Sequence, residues 1–210
     1  MRAAMLAATV WSSLVWADAF PPDGVTTMTT KSGQKMVWTV KRENDVVLIN
    51  ATHPNWSFEN KSKPDGTPLS TTRRKDGKST KVTYTATGAE LEHTDAKGNV
   101  SKVTVKHAGL WDSDALDARL ATVAWSKGKK VRFSIADVDN ADGSVYPMVV
   151  EYVEETTCED GEAKKVKCHH VRLALDDFRR MFAPTFDYFY AVEGGRYLRH
   201  EGDGFVFVTK

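Results

Sequence analysis

Two cysteines and two histidines lie close together in the chain and could form either a disulfide or a metal site. A hairpin centred near Ala163 would place Cys158 and Cys168 opposite each other, with their Cβ atoms close enough for a bond. Zinc is the alternative, because thiolates and imidazoles are its usual ligands. His169 and His170 are adjacent on a predicted strand, however, so their side chains point to opposite faces and cannot both reach one ion. We therefore expect a disulfide and no metal, with a free thiol pair as the third possibility.

A short acidic segment could bind calcium. Asp137, Asp139, Asn140 and Asp142 place oxygen ligands at nearly alternating positions before Gly143, as calcium loops do. The segment lacks the glutamate that closes such a loop, and Asp, Asn and Gly are also ordinary turn residues. We expect a turn here and keep calcium as an alternative.

Known catalytic motifs are absent from the sequence. It has no Gly-x-Ser-x-Gly elbow, no His-Glu-x-x-His helix, no complete Gly-x-x-x-x-Gly-Lys-Ser/Thr phosphate-binding loop and no dinucleotide fingerprint. We predict a protein that is not an enzyme and needs no cofactor. A hydrolase or isomerase with scattered catalytic groups remains the alternative, and a buried carboxylate or histidine with a strongly shifted pKa in a pocket would favour it.

The elements that would position any catalytic or binding side chains are short runs rich in Val, Thr, Tyr, Phe and Trp. Turns separate these runs about every ten residues. Within the runs, apolar side chains alternate with polar ones, as in Met36, Trp38 and Val40 and again in Val131 and Phe133. This period predicts a mainly β protein whose antiparallel meander forms a curved sheet or half-open β-barrel.

One segment instead has helical spacing. Asp112 or Ser113 can cap a helix in which Leu116, Leu120 and Val123 recur at i, i+4 and i+7, and a Lys-Gly pair ends it. We expect one short helix packed against the sheet.

Aromatic residues on the strands could line a groove, because a small barrel with an apolar interior can hold one hydrophobic ligand. Sheet core is the simpler interpretation, and an outer-membrane barrel is a third one that the charged clusters on the strands oppose. The candidate lining residues are Trp38, Trp56, Tyr84, Phe133, Tyr188 and Tyr190.

The start of the chain has the pattern of an export signal. Residues 1–19 combine a basic start, an apolar middle and small residues before a cut after Ala19. We expect residues 20–33 to be a flexible lead segment and residues 34–210 to be one β-barrel-like domain in the periplasm or secreted. The apolar run is too short to span a bilayer, so no transmembrane helix is expected in the mature chain. The formal net charge of +1 argues against a nucleic-acid partner.

Between Trp38 and Gly202 the sequence resembles the bacterial exported family called domain of unknown function 3108. The resemblance implies an envelope protein with a curved, half-open barrel partly filled by a helix, and it carries over no catalytic residue. The first strands of the family are shortened here, before Gln34. The matching segments are Gly109–Asp112, Lys127–Phe133, Tyr152–Glu155, Cys168–Leu173, Tyr188–Val192 and Arg196–Gly202.

These patterns lead to one preferred function and one alternative. We expect an exported envelope protein that binds a lipid or another hydrophobic small molecule in its curved sheet. The alternative is a structural or assembly module that binds an envelope protein through a sheet edge.

Overall fold

A computed structural model describes residues 23–30, 33–160, 163–202 and 205–209. These residues form fifteen strands, one α-helix and one 3₁₀ helix. The strands are β1 (Gly24–Thr30), β2 (Lys35–Glu43), β3 (Val46–His53), β4 (Trp56–Ser62), β5 (Pro68–Lys75), β6 (Lys78–Thr85), β7 (Gly88–Thr94), β8 (Val100–Val105), β9 (Leu110–Trp111), β10 (Lys130–Ala136), β11 (Val145–Glu159), β12 (Lys165–Leu175), β13 (Phe186–Ala191), β14 (Tyr197–Gly202) and β15 (Phe205–Thr209). The helices are α1 (Leu116–Ala121) and a 3₁₀ helix (Phe178–Met181).

All fifteen strands belong to one sheet with the order β8-β7-β6-β5-β4-β3-β2-β1-β15-β14-β13-β12-β11-β10-β9. Neighbouring strands are antiparallel except β9 and β10, which are parallel. The sheet curls until its two ends approach each other. Their proximity is shown by a hydrophobic cluster that contains Val105 of β8, Leu110 of β9 and Ala136 of β10. The expected mainly β, half-open barrel with one short α-helix is confirmed.

The segment expected to be a flexible lead instead supplies strand β1. Its residues 24–30 pair with β2 on one side and with β15 on the other, so they join the two halves of the sheet. This strand lacks the alternation that predicts a strand, because four of its seven residues are threonines. Met28 is fully buried, whereas Val25 is 70% exposed. Residues 1–19, where the export signal is expected, lie outside the described residues.

The main hydrophobic core lies inside the barrel. Met36, Trp38 and Val40 are buried on the concave face of β2, as their alternation predicts, and Val47 and Ile49 of β3 lie beside them. Helix α1 adds its buried leucines and alanines to this same cluster. The helix therefore partly fills the barrel. No helix among the described residues is long and apolar enough to cross a membrane.

Helix α1 is shorter than the leucine spacing predicts, because local side chains bond the carbonyls that would continue it. The Thr122 hydroxyl donates to the Arg119 carbonyl oxygen at 3.0 Å. The Trp125 indole Nε1 donates to the Leu120 carbonyl oxygen at 3.1 Å. The helix thus ends at Ala121 instead of continuing toward the Lys-Gly pair.

The two cysteines form a disulfide near the tip of the long β11–β12 hairpin, with their Cα atoms 5.9 Å apart. They are diagonal neighbours: Cys168 pairs with Thr156, and Cys158 pairs with Val166. The predicted hairpin centre was one residue too late, which moves each partner by two positions and keeps both sulfurs on the same face. His169 lies edge-on to Tyr152, and His170 stacks on Phe189.

Candidate functional site

A pocket of about 430 Å³ lies at one end of the barrel. The β3–β4 turn, the β5–β6 turn and the outer ends of β2, β13 and β14 surround its mouth. The segment that enters helix α1 closes its inner end. Its lining residues are Gln34, Met36, Trp38, His53, Asn55, Trp56, Phe58, Arg73, Lys75, Asp76, Ser113, Asp114, Asp117, Phe186, His200 and Gly202.

One wall of the pocket is aromatic and apolar. Trp56 is half-buried and lies between His53 and Phe58, with ring centroids 5.3 Å and 6.1 Å away. Trp38 is buried behind it and packs against Tyr197 at 6.4 Å. Since Trp56 keeps part of its ring exposed, this wall can bury apolar ligand surface.

The floor of the pocket is polar and mostly acidic. The side chain of Asp114 is only 5% exposed, and its Oδ1 lies 3.5 Å from Nη2 of Arg73. The other terminal nitrogen of Arg73 contacts Asp139 at 3.0 Å. Burial raises the pKa of Asp114 to about 7, and Arg73 only partly opposes this effect.

A chain of buried polar side chains holds this floor in place, and we call Ser62, Asn60, Thr71 and Asp112 the buried polar chain. The Ser62 hydroxyl donates to Asn60 Oδ1 at 3.0 Å, and Asn60 Nδ2 donates to the Thr71 hydroxyl at 3.0 Å. The Thr71 hydroxyl in turn donates to Asp112 Oδ2. Asp112 Oδ1 accepts the backbone N–H of Asp114 at 2.8 Å, which positions that residue at the pocket.

A second polar group surrounds Asp117, the first acidic residue of α1. Its carboxylate accepts a hydrogen bond from the Tyr188 hydroxyl, and its Oδ2 lies 3.7 Å from Nδ1 of His200. The same histidine nitrogen lies 2.5 Å from the Tyr197 hydroxyl. Burial raises the pKa of Asp117 and lowers the pKa of His200. The histidine therefore adds no full positive charge to the floor at neutral pH.

The structure divides the six aromatic residues predicted to line a groove. Trp38 and Trp56 line the pocket. The other four lie elsewhere, because alternation along a strand identifies the concave face but not the depth within the barrel. Phe133, Tyr188 and Tyr190 are buried in the main core, and Tyr84 packs against the cluster between the sheet ends.

The acidic segment considered for calcium uses its oxygens within its own turn. Asp137 accepts hydrogen bonds from the backbone and side-chain nitrogens of Asn140 and from the Tyr146 hydroxyl. Asp142 accepts the backbone N–H of Ser144. Across the described part of the chain, no three His, Cys, Asp or Glu side chains are grouped closely enough to hold a metal ion.

Comparison with known proteins identifies the family. The family described as "Protein of unknown function (DUF3108)" matches residues 58–198, which is more than half of the chain. The chain belongs to this family. The resemblance drawn from the strand and turn patterns is thereby confirmed. No curated protein matches the chain.

One solved structure supports the fold. The crystal structure of a beta-barrel-like protein of domain of unknown function DUF1849 from Brucella abortus has a TM-score of 0.56 at 13% identity. The match covers 92% of this chain and 96% of that chain. The hypothetical lipoprotein YmcC from Escherichia coli has a TM-score of 0.43 at 10% identity, with 90% of this chain and 87% of that chain covered. At such identities, the first match shows a shared fold and nothing about a ligand.

Proposed function

We propose that this DUF3108 protein is an exported binding protein of the cell envelope that holds a lipid-like or other amphiphilic small molecule in the pocket at the barrel end. One observation carries the proposal: a pocket of about 430 Å³ that combines an aromatic wall with a polar floor. Small-molecule sites of this size are mostly apolar and contain a few oriented polar groups. The apolar body of the ligand would lie against Trp56 and Phe58.

The packing of the rest of the barrel interior favours the pocket as the place where a ligand binds. Tyr190 and Leu120 are fully buried where the helix meets the sheet. That half of the barrel is filled by the protein's own side chains. The pocket begins at the N-terminal end of α1, between the segment that enters the helix and the ends of β2 to β5.

A partner segment added to the edge of β8 is less well supported. The open edge of β8 has only six residues. The β10–β11 loop packs close to it, since a Cβ placed on Gly143 would lie 3.0 Å from Cγ1 of Val103. Val105 is also covered by the cluster that joins the two ends of the sheet. A long, unprotected edge would favour β-augmentation, and this edge is short and partly covered.

Acid–base catalysis is a second candidate, favoured by the raised pKa of Asp114 inside the pocket. Its neighbours are Arg73 and further carboxylates. Among the described residues, no serine, threonine or cysteine donates a hydrogen bond to Asp114 as a nucleophile would. We therefore rank binding above catalysis.

Native mass spectrometry of the protein purified from its own host tests the proposal. We expect an adduct of defined mass that is released intact on denaturation. The variant Trp56→Ala should lose the adduct, whereas Phe182→Ala should keep it, because Phe182 is 83% exposed and lies outside the pocket. A clean protein mass, together with unchanged tryptophan fluorescence on titration with amphiphiles, would refute binding. A chemically altered molecule after incubation would favour catalysis.

A further inference from the structure

The charges around the pocket floor are unbalanced in favour of carboxylates. Asp114 and Asp117 line the floor, and the buried Asp112 holds the backbone of Asp114. Asp139 is 55% exposed and contacts the other side of the Arg73 guanidinium. Arg73 is the cation in contact with this group, and its guanidinium lies between Asp114 and Asp139.

The rim of the pocket does not change this balance. Lys75 and Asp76 are both exposed there and oppose each other in sign. Their charges are screened by solvent, unlike those of the floor. The inner end of the pocket is therefore the acidic part. Because burial raises the pKa of Asp114 to about 7, this end repels an anionic group most strongly above that pH.

One atom of the floor has an unused hydrogen-bonding capacity. Oδ2 of Asp114 is buried and accepts no hydrogen bond from any described residue. A buried acceptor without a partner costs free energy. A ligand donor that reaches this oxygen, after a small rotation of the Asp114 side chain toward the pocket, therefore gains more than a ligand without a donor. Arg73 Nε is also unpartnered, but its guanidinium already faces two carboxylates and does not reverse the acidic balance.

The aromatic wall is compatible with a cation at the same place. Trp38 and Trp56 line the pocket together with Asp114, and indole faces attract ammonium groups within about 6 Å of the ring. Carboxylates and aromatic faces together form the chemistry that recognises organic cations.

We propose that the ligand of this pocket carries a primary ammonium group at its polar end, which donates to Asp114 and is balanced by Asp117, while its apolar body contacts the aromatic wall. This inference rests on the proposed binding function and narrows its ligand class. A quaternary ammonium group has the charge but no N–H to donate. A carboxylate or sulfate group has the wrong sign.

Four probes with the same decyl chain separate these possibilities: decylamine, decyltrimethylammonium, decanol and decanoate. Binding is measured by tryptophan fluorescence and by isothermal titration calorimetry, below the micellar concentration of each probe. We expect decylamine to bind about tenfold more tightly than decanol. Both can donate a hydrogen bond to Asp114, but only the ammonium carries a charge opposite to the carboxylate, and charge-assisted hydrogen bonds are stronger by about that factor. Decyltrimethylammonium should fall between them, and decanoate should bind most weakly.

Two variants test whether the order of probe affinities depends on the pocket floor. Asp114→Asn should remove most of the preference for decylamine over decanol while decanol binding is retained. Glu155→Gln makes the same change of charge on an exposed part of β11, outside the pocket, and should leave the preference unchanged. Circular dichroism checks that both variants keep the β fold.

The outcomes distinguish the two proposals. If decanoate binds as tightly as decylamine, or if Asp114→Asn leaves the preference intact, the ammonium assignment is wrong and the binding function stands. If none of the four probes binds and no adduct is found in protein from the host, the binding function itself fails.

Discussion

Removing the carboxylate of Asp112 tests whether the buried polar chain holds the pocket floor. Asp112 is 5% exposed and accepts hydrogen bonds from two backbone N–H groups, the Thr71 hydroxyl and the Tyr84 hydroxyl. Its Oδ1 accepts the backbone N–H groups of Asp114 at 2.8 Å and of Ala115 at 3.3 Å, and its Oδ2 accepts the hydroxyl of Thr71. In Asp112→Ala these donors lose their acceptor inside the protein.

The expected loss follows from the number and burial of these donors. A buried donor left without a partner costs about 1–3 kcal/mol, and partial relaxation or an entering water reduces the sum. We expect Asp112→Ala to lower the free energy of unfolding by about 2–4 kcal/mol. With a urea dependence of about 2 kcal/mol per molar, the midpoint of unfolding should fall by about 1–2 M.

Urea unfolding followed by circular dichroism measures this shift, and the chain offers a matched control. Asp95 also accepts backbone N–H groups two and four residues ahead, from Lys97 and Asn99, but in an exposed turn. Asp95→Ala should therefore shift the midpoint much less. Asp112→Asn keeps one acceptor oxygen and should give an intermediate shift. If the Asp112→Ala and Asp95→Ala midpoints coincide, the buried polar chain does not stabilise the floor as argued.

Three further predictions concern the disulfide, a tight turn and the pH dependence. Replacing Cys158 and Cys168 together by serine should lower the free energy of unfolding by roughly 2–3 kcal/mol, because their sequence separation is 10; urea denaturation of the variant and of the wild type with and without reductant measures this, and equal midpoints for the variant and the oxidised wild type would contradict it. Gly195→Ala should lower the melting temperature measurably, since φ is +62° and the new Cβ would lie 2.3 Å from the carbonyl oxygen of Ala121; an unchanged melting temperature would contradict that packing. Because the pKa of Asp114 is raised from 3.8 to about 7, the folded state holds its proton more tightly, so this group should cost stability progressively as pH rises through that range. The urea midpoint of Asp114→Asn should exceed that of the wild type more at pH 8 than at pH 5, and an equal difference at both values would contradict the shift.

The parts of the fold that depend on local pattern could be predicted from the sequence. Alternation places Met36 and Trp38 on the concave face, and both are buried. The Asp-Gly turn at residues 76 and 77 has φ values of +51° and +74°, as a tight hairpin turn requires. Leucine spacing also located the centre of α1. Each of these signals lies within one strand, one turn or one helix.

The parts that depend on distant contacts could not be predicted in this way. Strand β1 has little apolar alternation, and its place in the sheet depends on pairing with β15 from the other end of the chain. Thr71 and Asp112 are separated by 41 residues, and nothing local distinguishes this threonine from a solvent-facing one on another strand. The floor of the pocket was missed for the same reason, because Asp114 and Asp117 look like ordinary helix-entry acids in the sequence.

The position of the pocket follows from a mismatch between the sheet and its filling. Fifteen strands enclose more space than a six-residue helix can fill. One end of the barrel is therefore not filled by the helix. In this chain that end contains Asn60, Thr71 and Arg73 on concave positions where other strands carry Val or Leu. Polar groups at such positions destabilise a dry core unless they are paired, and here they orient the segment from Asp112 to Asp117. The residues that keep this end from collapsing into core are therefore the same ones that place carboxylates beside the aromatic wall. Substituting Arg73 or Asp114 should then alter ligand preference without altering the fold class.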